Sequence, residues 1–470
     1  MMVAEVVPDV ISDLWQHQED AVAFAMDRKS TLWHMGLGTG KSRCAITLAS
    51  RTQAKTILIL CPLSVCDAWR EQHQRFRPNV QIAILNKRSV KRKLEEAERV
   101  KARAAAFNQP LVVVVNYESA RRAPLGPWLE RQGFDLLVLD EVHKTKSHKG
   151  ATSKWCAKLA QTCKQRVGLT GTPMPHSPLD SFGILRALGS TVLGNSFWKF
   201  RQKYAVLGGF QGKNVVAFQD IDHLQAKMAT LTFQASRDVL DLPDAIHERR
   251  VVDLSPKAQR IYNELDHDFR AGVEDGEITA SNALVKLLRL AQITSGTASI
   301  DDETTVSGTR HELVDDSKQK ALEELFDSLP ADEPVVVFGR FKGCLAAVHR
   351  AAESSGRKSL ELSGSRKELS EWQRGQAPIL AVQIQAGGTG IDLTRAAYCV
   401  YISVGFALGD YEQSLARVHR PGQDRTVFYY HLVARGTVDE STYQALRTRK
   451  NLVEAVLDGI RNPQPKEETK

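Results

Sequence analysis

Three short runs without a polar interruption constrain this chain more than anything else in it: Thr56-Ile57-Leu58-Ile59-Leu60, Leu111–Val115 and Leu136-Leu137-Val138-Leu139. Each is apolar at consecutive positions and too short for a helix, so both faces of an extended strand must be covered. Longer helix-compatible stretches separate them, including the one after Cys61 that carries Trp69. Covered strands alternating with helices make a parallel sheet with helices on both sides. Ligands of such sheets sit beyond the carboxyl ends of the strands. Here those ends read Cys61-Pro62-Leu63-Ser64, Asn116-Tyr117-Glu118 and Asp140-Glu141-Val142-His143.

Upstream lies Met35-Gly36-Leu37-Gly38-Thr39-Gly40-Lys41-Ser42, followed by the helix-compatible run Arg43–Ser50. Glycines free of Cβ hindrance let backbone N–H groups curl around a polyphosphate. In that pattern Lys41 reaches the β- and γ-phosphates and the Ser42 hydroxyl holds Mg²⁺. The general form has Gly or Ala where this chain has Met35, and a lone half-match reads equally as a plain glycine turn. Asp140 suits a Mg²⁺ held through its water shell, and Glu141 suits orienting and deprotonating an attacking water. The alternative is an acidic pair at a helix N-terminus. Gln18, in the helix-like run from Leu14, offers the amide donor and acceptor that an adenine needs, or is simply an exposed glutamine. Thr170-Gly171-Thr172-Pro173 is a turn whose hydroxyls could sense a γ-phosphate.

From Pro175 to about Ser317 the pattern changes to helical insertions with loops: helices at Lys257–Phe269 and Ala283–Leu290, a strand at Arg249–Leu254, and a polar exposed loop at Asp301–Asp316. A second alternating unit follows, with strands at Val335–Phe338, Ser359–Leu362, Ile379–Ile384 and, last, Tyr398–Ser403, and a helix at Leu345–Ala352. Gln385–Asp392 is glycine-rich but lacks a Lys-Ser ending. The spacing then predicts a helix over Asp410–Arg420, capped by Asp410 with Gln413 and stopped by Pro421-Gly422. Tyr411, Leu415 and Val418 would pack on the sheet. Gln413, Arg417 and Arg420 would share the polar face, where two guanidiniums suit a γ-phosphate as arginine fingers, unless they are ordinary surface arginines.

The net charge of +8 is uneven. Residues 142–166 hold seven Lys/Arg and no acid, which favours a nucleic-acid track, whereas 87–103, with eight Lys/Arg and three Glu, reads as a solvated helix face. Seven cysteines without a Cys-x-x-Cys pair read as buried thiols rather than zinc ligands. No apolar run is long enough to span a membrane and the N-terminus lacks signal-peptide character, so an intracellular protein is expected, cytoplasmic if bacterial or phage.

In this order, Gln18, Gly38–Ser42, Cys61–Ser64, Asn116–Glu118, Asp140–Lys144, Thr170–Pro173, Gly387–Leu393 and Gln413-x-x-x-Arg417-x-x-Arg420-Pro421-Gly422-Gln423 resemble the boxes of superfamily-two helicases. The resemblance is to their Swi/Snf-like branch of double-stranded DNA translocases and covers about residues 14–450. It implies an α/β fold of two tandem RecA-like parallel-sheet lobes with helical insertions between them: lobe 1 over 1–188, insertions and linker over 189–315, lobe 2 over 316–460, and a disordered tail over 461–470. It implies ATP bound by Gln18, Gly38, Thr39, Gly40, Lys41 and Ser42, Mg²⁺ on Ser42 and Asp140, and catalysis by Lys41, Asp140, Glu141, Arg417 and Arg420. Pro62, Leu63, Ser64, Asn116, Tyr117, Lys146, Ser363, Gly364 and Thr389 fall where family members touch the DNA backbone.

Met35, Asp392 in place of the usual Asn, and Ser403–Gly409 without the usual Trp-Asn-Pro depart from the nuclear remodellers. Together with the short insertions they suggest a minimal phage or bacterial motor, acting as a monomer on duplex DNA. A strand-separating DNA or RNA helicase and a non-hydrolysing, ATP-clamped DNA-binding protein are the rival readings.

Overall fold

The computed structural model describes residues 14–86, 89–171, 174, 177–208, 214–274, 280–301, 309–386, 391–405 and 407–448. Two compact units divide it between Leu240 and Asp241. No described helix is long and apolar enough to cross a membrane.

The first unit contains Ser30–Met35 (β1), Thr56–Cys61 (β2), Gln81–Leu85 (β3), Leu111–Asn116 (β4), Leu136–Asp140 (β5), Gln165–Thr170 (β6), Ala205–Gly208 (β7), Asn214–Phe218 (β8) and Thr232–Ala235 (β9). Seven of these form one sheet in the order β3-β4-β2-β5-β6-β1-β9, parallel throughout. The uninterrupted apolar runs are explained by burial on both faces. Leu58, Leu60, Val113, Val115, Leu137 and Leu139 pack on one side with Ala97, Val100 and Ala104 of the helix Val90–Ala106. Ile57, Ile59, Val112, Val114 and Val138 pack on the other. That side is covered by the helices Gln16–Met26 (α1), Lys41–Arg51 (α2) and Cys66–Phe76 (α3). Each such side chain contributes about 1.5–3 kcal/mol on burial, so the sheet is a rigid base for the loops at its carboxyl edge.

The second unit contains Ala245–Val252 (β10), Thr297–Asp301 (β11), Thr309–Leu313 (β12), Val335–Gly339 (β13), Ser359–Leu362 (β14), Ile379–Gln383 (β15), Tyr398–Tyr401 (β16) and Val427–Ala434 (β17). Its six-stranded sheet runs β10-β17-β16-β13-β15-β14, again parallel throughout. The expected pair of tandem parallel-sheet lobes is therefore what the chain adopts.

Several local expectations need correction. The stretch read as a loop at Asp301–Asp316 contributes β12, which pairs antiparallel with β11. Its residues Thr309–Leu313 have no apolar alternation because they build a two-stranded hairpin rather than a covered sheet. The strand expected at Arg249–Leu254 begins earlier, at Ala245, and is an edge strand of the second sheet, paired only with β17. The insertions are not purely helical: β7 and β8 form a hairpin, and β9 joins the first sheet beside β1. Tyr398–Ser403 is not the last strand, since β17 follows it.

Candidate nucleotide site and nucleic-acid interface

Between β1 and α2 the chain turns through Gly38 and Gly40 at φ 89° and 86°. L side chains rarely adopt such angles, which accounts for both glycines. Gly40 has a second reason: a Cβ there would run into the Gln18 amide. Gln18 is buried and clamps the loop, its Nε2 donating to Thr39 O at 3.0 Å and its Oε1 accepting from Trp15 N at 3.1 Å. Both heteroatoms of the amide expected to read a base are thus engaged with the chain. Lys41 Nζ donates to Met35 O at 2.9 Å and Gly36 O at 3.0 Å, so the ammonium lies in the mouth of the loop. Met35, where the general pattern has a small residue, is fully buried and packs with the helical layer over β1, while its carbonyl anchors Lys41. That packing is how the departure is tolerated.

The sheet register sets the distance to the carboxylates. His34 of β1 pairs with Thr170 of β6, and Asp140 of β5 pairs with Leu169 of the same strand. One strand therefore separates the root of the loop from Asp140, about 10 Å at the usual strand spacing. Asp140 is buried and accepts from Trp69 Nε1 at 2.9 Å. Burial, then the charge of Glu141, pushes its carboxyl up to about 6, with the Trp69 bond and Lys41 opposing. Glu141 is a non-glycine residue at φ 52°, ψ 51°, a conformation that costs about 1–2 kcal/mol. That turn leads from β5 into Val142–Thr145 and leaves the Glu141 carboxylate 3.2 Å from His143 Nδ1, which also lies 3.3 Å from Thr170 Oγ1. His143 thereby links the carboxylate to the buried threonine at the end of β6. Thr172, the other expected sensor, lies outside the described residues. A glycine-lined turn, a lysine, the Ser42 hydroxyl at the start of α2 and a buried carboxylate are a hard-donor set that fits a polyphosphate with Mg²⁺.

In the second unit the helix Leu408–Val418 starts earlier than expected. Its N-cap is Ala407, and Asp410 lies inside the first turn instead of capping it. Tyr411, Leu415 and Val418 do pack on the sheet. Gln413 and Arg417 are buried rather than exposed. The helix ends before Arg420, because His419 is already extended at φ −92°, ψ 90°; Arg420 is therefore not on the shared helix face. Its Nη1 donates to Ile391 O at 3.2 Å instead. Gln423 holds this corner together, its amide donating to Ala396 O at 2.8 Å and Thr394 O at 3.1 Å.

A profile of the SNF2-related domain matches residues 17–300 of this chain, more than half of it. The chain belongs to the SNF2-related family. It is thereby an enzyme of the ATP-dependent helicase/translocase class, built on two RecA-like lobes. It is 25% identical over 467 residues to a protein of Acyrthosiphon pisum secondary endosymbiont phage 1, covering 92% of this chain and 95% of that one. It is 24% identical to an uncharacterized ATP-dependent helicase of Mycoplasma genitalium over 90% of this chain, but spans only 40% of that protein. A solved Sulfolobus solfataricus SWI2/SNF2 ATPase core in complex with dsDNA aligns at 19% identity and a TM-score of 0.44, over 97% of this chain and 95% of that one.

The SNF2-type residues expected along a nucleic-acid backbone fall into two groups. Leu63 and Ser64 are exposed on the turn Leu63–Val65 after β2, behind a buried Pro62, and Gly364 is exposed beyond β14. Lys146 is half-buried just past Val142–Thr145. By contrast Asn116, Tyr117 and Ser363 are buried. Asn116 accepts from Lys93 Nζ at 3.0 Å and donates to Glu118 at 2.8 Å, and the Tyr117 hydroxyl donates to Asp140 O at 2.9 Å. Those two side chains brace the carboxylate edge from inside. Thr389 lies outside the described residues.

The basic segment 142–166 is neutralised only in part, with Lys144, Lys149 and Lys154 exposed. Lys158 pairs with Glu130 and Lys164 with Asp135, at 2.6 and 2.7 Å, and Arg166 is buried. Trp69 and Lys93 are the supporting residues that sequence reasoning missed as such. Both come from helices distant in the chain from the residue they hold, Trp69 from Asp140 and Lys93 from Asn116, and no local spacing signals that.

Proposed function

We propose that this chain is an ATP-driven motor that hydrolyses ATP when bound to DNA and moves along the duplex backbone, without necessarily separating the strands. The observation that carries the reading is the convergence, at one sheet edge, of the Lys41 loop with Asp140 and the strained Glu141. Lys41 and the loop N–H groups would bind the phosphates, and Ser42 and Asp140 would hold Mg²⁺. The bound cation would neutralise charge on the transferring phosphoryl group. Glu141 takes the proton of the attacking water, with His143 and Thr170 fixing its orientation. Arg417 and Arg420 are the candidates for supplying guanidinium charge to the transition state. Leu63, Ser64, Lys146 and Gly364 are the exposed or half-buried candidates for the DNA backbone. Remodelling of junctions or of DNA-bound proteins is a task such a motor performs.

The test is ATP turnover measured without nucleic acid and with duplex DNA, single-stranded DNA or RNA, alongside displacement of the third strand from a triplex. Stimulation by duplex and triplex displacement without unwinding are expected. Stimulation by single strands or RNA alone would favour a strand-separating helicase, and no turnover under any condition would favour an ATP-clamped binding protein. Lys41→Ala abolishes turnover on this reading; a variant with unchanged turnover rules out the site.

A further inference from the structure

Cys61 closes β2 and Cys66 opens α3, with only the Pro62–Val65 turn between them. Their Sγ atoms lie 3.6 Å apart, the one thiol–thiol contact among the described residues. Both are fully buried, while in the turn between them Leu63 is 53% exposed and Ser64 is exposed as well. The two sulfurs are not equivalent. The hydrogen bond shared with Cys61, then the ammonium of Lys93, holds Cys66 below the usual thiol range against the effect of burial, and its Sγ also lies 3.8 Å from Pro62 O as a donor. The same bond and burial push Cys61 up. Cys66 is also the first residue of a helix, where backbone N–H groups favour a thiolate. The thiols of Cys44 and Cys156, by contrast, are pushed up to about 12 by burial.

We propose that Cys61 and Cys66 are an oxidisable dithiol in which Cys66 reacts with a peroxide and Cys61 closes a disulfide across the turn. The Cys66 sulfur donates an electron pair to one peroxide oxygen, the O–O bond breaks, and hydroxide leaves. The product is a sulfenic acid. The Cys61 sulfur then attacks the Cys66 sulfur: the S–S bond forms, the S–O bond breaks, and the Cys61 proton leaves with the hydroxyl as water. Two thiols lose two electrons and one peroxide gains them. Closure needs the sulfurs to come from 3.6 Å to about 2.05 Å. The bridge would tie the segment that exposes Leu63 and Ser64. Its consequence for a nucleic-acid grip rests on the reading of those residues above, but the following experiment does not.

Trypsin cleavage after Lys55 and Arg70 leaves both cysteines in the single peptide Thr56–Arg70. The reduced full-length protein is exposed to graded hydrogen peroxide, quenched with catalase, alkylated under denaturing conditions and digested. The expected result is a Thr56–Arg70 peptide that is unalkylated and lighter by two hydrogens, at exposures that leave the Cys44 and Cys156 peptides fully alkylated, with reversal by dithiothreitol. Cys61→Ser should stop at a sulfenic acid on Cys66 that dimedone traps, and Cys66→Ser should give no adduct. Oxidation of Thr56–Arg70 no sooner than the Cys44 or Cys156 peptides would overturn the proposal, whether or not the variants fold. A sulfenic acid trapped on Cys61 in wild type would overturn the assignment of roles.

Discussion

Gly40 combines two constraints in one residue: a left-handed backbone and the approach of the Gln18 amide. Gly40→Ala is therefore expected to cost about 1–3 kcal/mol and to lose nucleotide binding, read by thermal unfolding and nucleotide titration. At Glu141 the strained backbone aims a carboxylate, and only the carboxylate is needed for proton transfer. Glu141→Gln should bind ATP normally and turn over about 10²–10⁴-fold more slowly. Normal turnover would remove its role as base. His73 carries a different prediction. Burial, then the charge of Arg77, holds its imidazole down to about 3 from an ordinary 6.5. The unfolded chain thus binds a proton that the folded chain refuses. Stability from this residue is complete above about pH 6.5 and falls as pH drops towards 3, by up to about 1.4 kcal/mol per unit. His73→Leu should flatten the decline in denaturant midpoint between pH 6.5 and 5, and an unaltered slope would count against it.

Helices tie the site together from behind. Lys93, on the helix Val90–Ala106, is buried, and its ammonium donates to Asn116 Oδ1 and to Ser119 Oγ at 3.0 and 2.8 Å. Lys93→Met leaves the Asn116 carbonyl without that donor, a loss of about 1–3 kcal/mol from the first unit, measurable by denaturant unfolding. This helix belongs to the basic stretch that the sequence presents as a solvated face. Lys93 is the exception, because a cation flanked by other cations on a helix gives no local sign of pointing inward. The helix Leu408–Val418 shows the same limit from the other direction. Its apolar stripe of Tyr411, Leu415 and Val418 is legible in the spacing, but its start at Leu408 and its end before Arg420 are not. A backbone turn at His419 decides where that arginine points.

For the whole molecule, two predictions follow from a motor that holds a polyanion backbone. Affinity for duplex DNA should show little sequence preference and fall linearly with log salt, with a slope of about −0.9 for each phosphate held. A flat salt response in a filter-binding titration would rule out backbone tracking. Arg420→Ala in the second unit should keep ATP binding in the first and lose about 10³-fold in DNA-stimulated turnover. A normal stimulated rate would end its proposed role.

The residues by themselves determined the fold class and the glycine turn at the sheet edge. Consecutive apolar positions such as Leu136–Leu139 leave no exposed face, and glycines before Lys41 permit the left-handed turn found at Gly38 and Gly40. Tertiary structure alone decided that Tyr117 and Asn116 brace the Asp140 edge from within, that Gln18 clamps the glycine loop, and that Cys61 meets Cys66. These are pairings between segments whose separation in the chain has no period. For Tyr117 and Asp140 it is the parallel register, which sets the ends of β2, β4 and β5 at one level, that brings them together.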